Sequence, residues 1–218
     1  SDILIRGFRG DQILVLLDGQ PYNDPNSGEI DLKQFPVEMI EKIEILKSPS
    51  SSVYGGNALG GVINIITKNP HNNDYGKIKL GLGSYNTQQY NLIKSYSKNN
   101  FSFLINYNEL SSNNSSMTNN STDRNDLFVK MNYAINDNLN LKTAIRYNDS
   151  EINFPGSENP NYNSSGFRDE IDKNINISLN QDLDKKNREI SFYRNKKDLN
   201  SITTFESDME IMKKGIIL

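Results

Sequence analysis

Leu139-Asn140-Leu141-Lys142-Thr143-Ala144-Ile145-Arg146-Tyr147-Asn148 changes character at every step. Leu139, Leu141, Thr143, Ile145 and Tyr147 fall on one side of an extended chain, and Asn140, Lys142, Ala144, Arg146 and Asn148 on the other, because successive side chains of a strand point to opposite faces. The pattern spreads outward from there. Phe101, Phe103, Ile105 and Tyr107 interleave with Ser102, Asn106 and Asn108, with only Leu104 out of step, and Leu127, Val129, Met131 and Tyr133 alternate in the same way. So do Ile78, Leu80 and Leu82, and Ile175, Ile177 and Leu179. Segments near 77–84, 88–97, 101–110, 126–135, 139–149, 171–182, 188–197 and 200–209 read as about eight antiparallel strands at hairpin spacing. Their connections alternate between short (98–100, 136–138) and long (111–125, 150–170), as the two rims of a transmembrane β-barrel do.

Bulk composition points elsewhere. The 218 residues hold 24 Lys+Arg against 27 Asp+Glu, for a net charge of −3, with neither Cys nor Trp, and the mean hydropathy is −0.67. That charge supplies no basic field for nucleic acid. Without cysteine there is no disulfide framework and no thiolate metal site. The longest aliphatic run is five residues, Ile13 to Leu17, far short of the roughly 20 that a spanning helix requires. A barrel strand turns only every second residue to lipid, so mean hydropathy hides it. A soluble β-sandwich shows the same alternation. The barrel is favoured by an interleaved face rich in Asn, Ser and Lys, suited to a wet lumen, and by Tyr75, Tyr85, Tyr107, Tyr133 and Tyr147 near strand ends.

Asparagine divides the chain: four lie in residues 1–68 and 29 in 69–218. The first part reads as a compact α+β unit. Ile13 to Leu17, closed by Asp18-Gly19, has the length and branching of a strand buried on both faces. A loop follows over 22–28, then a short helical turn opened by Pro36, a strand at 43–46, a second turn after Ser48-Pro49, and a strand at 62–67 behind Gly60-Gly61.

Four ordered blocks carry a resemblance. They are Ile5-Arg6-Gly7-Phe8-Arg9-Gly10; Val15-Leu16-Leu17-Asp18-Gly19-Gln20-Pro21-Tyr22-Asn23-Asp24; Ile40-Glu41-Lys42-Ile43-Glu44-Ile45-Leu46-Lys47-Ser48-Pro49; and Val53-Tyr54-Gly55-Gly56-Asn57-Ala58-Leu59-Gly60-Gly61-Val62-Ile63-Asn64-Ile65-Ile66-Thr67-Lys68. Together they resemble the plug domain of TonB-dependent outer-membrane receptors, and the run from Ser27 to Pro36 is most similar to the vitamin B12 branch. The resemblance implies a mainly β protein: a small α+β plug over 1–68, a linker over 69–74, and the first eight or so strands of an antiparallel transmembrane β-barrel over 75–210. It implies residence in the outer membrane, among its lipids, and energised uptake of a scarce chelate, cobalamin or a ferric siderophore or haem. The TonB–ExbB–ExbD system is the implied partner, and no chemical bond in the substrate changes.

The same resemblance directs attention to two groups of residues. The loop after the buried strand, with Tyr22, Asn23, Asp24, Asn26, Ser27, Gly28 and Glu29, is the expected ligand-contact loop. Arg6, Arg9, Glu41 and Glu44 are expected to form ion pairs between plug and barrel wall. Full barrels of the family have about 22 strands, so the chain is expected to be a fragment, a truncated product or a frameshifted reading. Residues 211–218 are read as an atypical tail unrelated to the strand before them.

Other candidates carry less. The Gly-rich stretch 54–61 lacks the Gly-Lys-Ser/Thr ending of a phosphate loop, so turn geometry explains it better. His71 is the single histidine and has no partner for catalysis or metal binding. Asp and Asn near 119–126 and 159–172 have oxygen chemistry suited to Ca²⁺ but no regular ligand spacing, so solvated outer loops are the expectation. No nucleophile–base constellation is visible, so no enzyme activity is expected and no cofactor is implied. Three alternatives stay open: a non-transporting outer-membrane binding protein of the same fold, a soluble β-sandwich binding module, and a nonfunctional gene remnant.

Overall fold

The computed structural model describes residues 3–24, 28, 30, 32–48, 56–70, 74–115, 120–154, 166–183, 186–202 and 206–217, with the backbone alone for 33, 56 and 201–217. The chain forms two compact units, Ser1–Asn69 and Pro70–Leu218.

The first unit is built on a four-stranded mixed sheet. Its strands are β1 (Ile13–Leu17), β2 (Gln20–Pro21), β3 (Ile40–Leu46) and β4 (Gly61–Thr67), in the order β2-β1-β4-β3. β1 and β4 run parallel, with Leu14 beside Val62 and Val15 beside Ile63, while β3 pairs antiparallel with β4. β1 has no polar residue, so it can occupy the middle of the sheet with both faces covered. Ile13 and Val15 are fully buried, and Leu14 and Leu16 nearly so. Leu14 and Leu16 pack with Ala58 and Val62 in one cluster. Each such side chain contributes roughly 1.5–3 kcal/mol by leaving water, so truncating any of them would loosen the whole unit.

Short connections fix this sheet. Asp18 and Gly19 take φ of 48° and 82°, the paired left-handed residues of a two-residue hairpin whose twist matches the strands it joins. Gly61 has φ of 142°, and a Cβ there would sit 2.5 Å from the Leu46 carbonyl oxygen, so only glycine lets β4 begin against the end of β3. The expected strand at 13–17 is β1, and the one at 43–46 begins at Ile40. Pro36 stands just outside a 3₁₀ turn, Val37–Met39, as its cap rather than as its first residue. The turn expected after Ser48-Pro49 lies outside the described residues.

The second unit is one antiparallel sheet of eight strands. They are β5 (Tyr75–Gly83), β6 (Thr87–Lys98), β7 (Phe101–Ser112), β8 (Thr122–Asn136), β9 (Leu139–Phe154), β10 (Gly166–Leu183), β11 (Lys186–Ile202) and β12 (Glu206–Ile217), each hydrogen-bonded to its neighbours in sequence. The strands run further than the alternation predicts. β8 starts at Thr122 and β10 at Gly166, inside stretches read as long loops. There Thr122 to Asn125 and Arg168 to Glu170 are polar on both faces, so alternation vanishes while the backbone ladder continues. The final strand is also displaced from the expected 200–209: β11 extends to Ile202, and β12 pairs along it from Glu206 through Ile217. Residues 211–217, read as a tail unrelated to a strand, are therefore strand, because the ladder needs only backbone groups in register.

The sheet is inverted relative to an aqueous protein. Its buried face is mainly polar: Asn91, Asn106, Asn108, Arg124, Asp126, Lys130, Arg146, Asn148, Glu170 and Asp172 are all buried there, beside the apolar Ile93, Leu104 and Phe128. Its exposed face is apolar, with Leu92, Phe101, Tyr107, Leu127, Tyr133, Ile145, Ile177, Leu179, Ile190 and Phe192 accessible.

Candidate functional site

The loop after β2 is anchored at both of its described ends. Tyr22 donates its backbone N–H to the Val15 carbonyl at 2.9 Å, and its ring tilts against Phe35 with centroids 5.1 Å apart. Asn23 is buried and spends its carboxamide on backbone: Oδ1 accepts from Val15 N–H at 2.6 Å, and Nδ2 donates to the Ile13 and Gly28 carbonyls at 2.8 and 2.7 Å. Gly28 has φ of 71° and donates its N–H to the Asp24 carbonyl at 2.8 Å. Asp24 and Tyr22 are half-buried. Of the remaining loop residues, Asn26, Ser27 and Glu29 lie outside the described residues.

The four charges expected to pair with a barrel wall are all exposed on the first unit. Arg6 sits at the tip of a tight turn, with φ of 51° followed by Gly7 at 88°, closed by reciprocal backbone bonds between Ile5 and Phe8. Arg9 caps the 3₁₀ turn Gly10–Gln12 and donates its backbone N–H to Gln12 Oε1 at 3.3 Å. Glu41 and Glu44 lie on β3. Glu44 is paired two residues back, its carboxylate 2.7 Å from Lys42 Nζ, and that hydrogen bond is the main cause that holds its carboxyl below the ordinary value.

Sequence reading passed over Asp18. Its carboxylate grips the end of β4, accepting from the Thr67 N–H at 2.9 Å and the Thr67 hydroxyl at 2.5 Å. The same hairpin donates Asp18 N–H to the Ile65 carbonyl at 2.9 Å and Gly19 N–H to Asn64 Oδ1 at 3.0 Å. One residue further on, Lys68 binds the Met39 carbonyl through its backbone N–H and the Glu38 carbonyl through Nζ at 2.7 Å. The last two residues before the unit ends are thus held from two directions.

On the second unit the polar face carries a row of residues in register, Asn91, Asn108, Asp126, Asn148, Asp172 and Lys197, one from each of β6 to β11. Asp126 and Arg146 form an ion pair at 2.6 Å with both side chains almost fully buried, and Asn148 Nδ2 reaches Asp126 Oδ2 at 3.3 Å. Asn91 Nδ2 donates to Asn106 Oδ1 at 2.7 Å, and Lys197 pairs with Glu170 at 2.8 Å. Asn91 Oδ1, Asn106 Nδ2 and Asn148 Oδ1 have no partner among the described residues, which makes them natural positions for ordered water. Arg146 and Asn148 were visible in sequence only as the interleaved side of a strand; their partners depend on register.

Among the described residues no three His, Asp or Glu converge on a point where a metal ion would sit. The stretches 119–126 and 159–172 are only partly within the described residues. No described helix is long and apolar enough to cross a membrane.

These two units define a class: a small mixed-sheet domain followed by an antiparallel wall that is polar on its buried face and apolar on its exposed one. The fold is that of the plug and barrel wall of TonB-dependent receptors, and residues 1–62 match the family model "TonB-dependent Receptor Plug Domain". Among solved structures, the siderophore receptor PirA from Pseudomonas aeruginosa superposes with a TM-score of 0.77 at 19% identity, over 98% of this chain and 37% of that one. The ferric yersiniabactin uptake receptor FyuA from Yersinia pestis gives 0.77 at 16%, over 97% and 37%. The siderophore receptor PiuA from Acinetobacter baumannii gives 0.72 at 16%, over 92% and 31%. The chain spans about a third of the length of these structures.

Proposed function

We propose that this chain acts in a TonB-dependent outer-membrane receptor that takes up a ferric chelate. The observation that carries the reading is the inverted wall. A soluble sheet buries its apolar face; here the apolar face is the accessible one, an arrangement stable only where lipid is the solvent. Tyr107 and Tyr133 both lie on that face six residues of strand apart, Tyr133 being paired with Phe101, which is about 20 Å along the chain. That spacing suits two aromatic levels at the borders of a membrane. The match of residues 1–62 to the plug model supplies the second half of the reading.

A ferric chelate is favoured over cobalamin or haem because the similar structures described above are named as siderophore or ferric-chelate receptors. The similarity of Ser27 to Pro36 to the vitamin B12 branch has no counterpart among them. In this reading the TonB–ExbB–ExbD system supplies the energy, the loop at Tyr22 to Gly28 meets the ligand, and no bond of the substrate is broken. The ion pairs expected of Arg6, Arg9, Glu41 and Glu44 belong to the same proposal.

Uptake of radiolabelled iron chelates by cells carrying the full-length receptor, with and without TonB, tests it. TonB-dependent uptake of iron that excess cobalamin does not compete away is the expected result. Uptake of labelled cobalamin alone, or iron uptake indifferent to TonB, would overturn the reading.

A further inference from the structure

The outer edge of β1 is completed by a side chain. β2 reaches only Leu16 and Leu17, through their partners Pro21 and Gln20, so among the described residues no strand lies beside Ile13 to Val15 on that side. Tyr22 adds one rung, its N–H on the Val15 carbonyl, and there the backbone turns away. In place of the next peptide group stands the carboxamide of Asn23, 3% exposed. Its oxygen takes the Val15 N–H and its nitrogen gives a hydrogen to the Ile13 carbonyl. A carboxamide carries the same donor and acceptor as a peptide unit, with one extra N–H. That extra hydrogen goes to the Gly28 carbonyl at 2.7 Å, across the loop.

We propose that Asn23 is the positioning residue of the ligand-contact loop. It does not touch the chelate; it fixes where the loop leaves β1 and where it returns. The assignment rests on the reading of that loop as ligand-binding, and it replaces the expectation that Asn23 is itself a contact. The geometry needs two donors and one acceptor on one small group. Asn23→Asp keeps the acceptor and sets a carboxylate oxygen against two carbonyls, while Asn23→Ala leaves three backbone groups open in a buried place. The loop then loses both ends at once, whereas β1 keeps its parallel partner β4.

Two readouts on the full-length receptor test this. The first is the concentration dependence of uptake of a radiolabelled ferric tricatecholate and a ferric trihydroxamate. Asn23→Asp and Asn23→Ala are expected to raise KM about tenfold or more with Vmax within about twofold, because the affinity depends on loop placement. Thr67→Val, which loosens the same unit at the far end of β4, is expected to leave KM unchanged. The second readout is amide hydrogen exchange without ligand, where the Gly28 N–H should exchange about tenfold faster in both Asn23 variants, and the Val15 N–H in Asn23→Ala, which removes its acceptor. Unchanged KM in Asn23→Asp, a KM raised equally by Thr67→Val, or unchanged exchange at Gly28 in both variants or at Val15 in Asn23→Ala each overturns the proposal. If the wild type takes up neither probe, the functional reading above fails by itself, and exchange alone then decides whether Asn23 holds the loop.

Discussion

Replacing Asp18 by Ala should release the end of β4 from the hairpin that grips it. The carboxylate accepts two bonds from Thr67, at 2.9 Å from its N–H and 2.5 Å from its hydroxyl, and Thr67 is fully buried. Alanine offers no acceptor, so two buried donors lose their partner, each costing about 1–3 kcal/mol. The residue also sits at φ of 48°, where Asp is tolerated and Ala adds roughly 1 kcal/mol of strain. Partial relaxation and water entry offset part of this, leaving a net loss of about 3 kcal/mol, toward the low end of the roughly 2–6 kcal/mol that the two donors alone would cost. At 1.4 kcal/mol per tenfold, the Thr67 amide of the full-length protein should then exchange about 100-fold faster in native-state hydrogen exchange. Asp18→Asn separates geometry from charge. It tolerates the left-handed backbone, keeps an acceptor for the N–H and can donate to the hydroxyl oxygen, so it should cost about 1 kcal/mol, a rise of roughly fivefold. Exchange at Thr67 within threefold of wild type in Asp18→Ala would refute the clamp. An Asn variant as fast as the Ala variant would refute the division between occupancy and charge.

Three further outcomes follow from the same geometry. Ile145→Arg places a charge on the apolar face of β9 and should destabilise folding into lipid vesicles by about 2–4 kcal/mol in denaturant titrations, whereas Lys142→Gln on the opposite face should change little. Arg146→Met leaves Asp126 buried without its 2.6 Å partner and should cost about 3–5 kcal/mol in the same titration, much of it recovered by adding Asp126→Leu. Glu44 should titrate below its ordinary 4.5 when followed by NMR, because the Lys42 hydrogen bond favours the carboxylate; Lys42→Gln should move it back up. A lowered folded-state value means that whatever stability the pair contributes is present above the unfolded value and is lost as pH falls through the folded one, so Glu44→Gln should differ from wild type least in acid.

What could be read from the chain and what could not separate along a physical line. β1, β4 and the barrel-like strands were legible because burial on two faces or on one leaves a run or an alternation in the residues themselves. The ends of β8 and β9 were not: Thr122 to Asn125 is polar on both faces, and in Ser150 to Phe154 the apolar Ile152 and Phe154 fall on the side that carries Arg146 and Asn148, out of step with the alternation before them. The loop after β2 was legible as a loop from its Asn, Asp, Pro and Gly. The role of Asn23 in it was not, because a buried asparagine and an exposed one are the same letter. Asp18 and Thr67 stand 49 residues apart, and Asp126 meets Asn148 across 22. Such pairs are set by register between distant strands, and nothing local to either residue announces the other.

The two units bury opposite kinds of surface, and that opposition is what a single average conceals. In the first, apolar β1 is central and polar side chains work at the margins, Asn23 at an open edge and Asp18 at a strand end, each satisfying backbone or hydroxyl groups that water cannot reach. In the second, most of the groups hidden are Asn, Ser, Asp and Arg, with Ile93, Leu104 and Phe128 among them, and the large groups displayed are Leu, Ile, Phe and Tyr. Hiding charge is expensive unless it is paired, so a polar face of this kind can be kept only by ion pairs such as Asp126–Arg146, by amide ladders such as Asn91–Asn106, and by water at the valences they leave open. An apolar core would have been cheaper to bury.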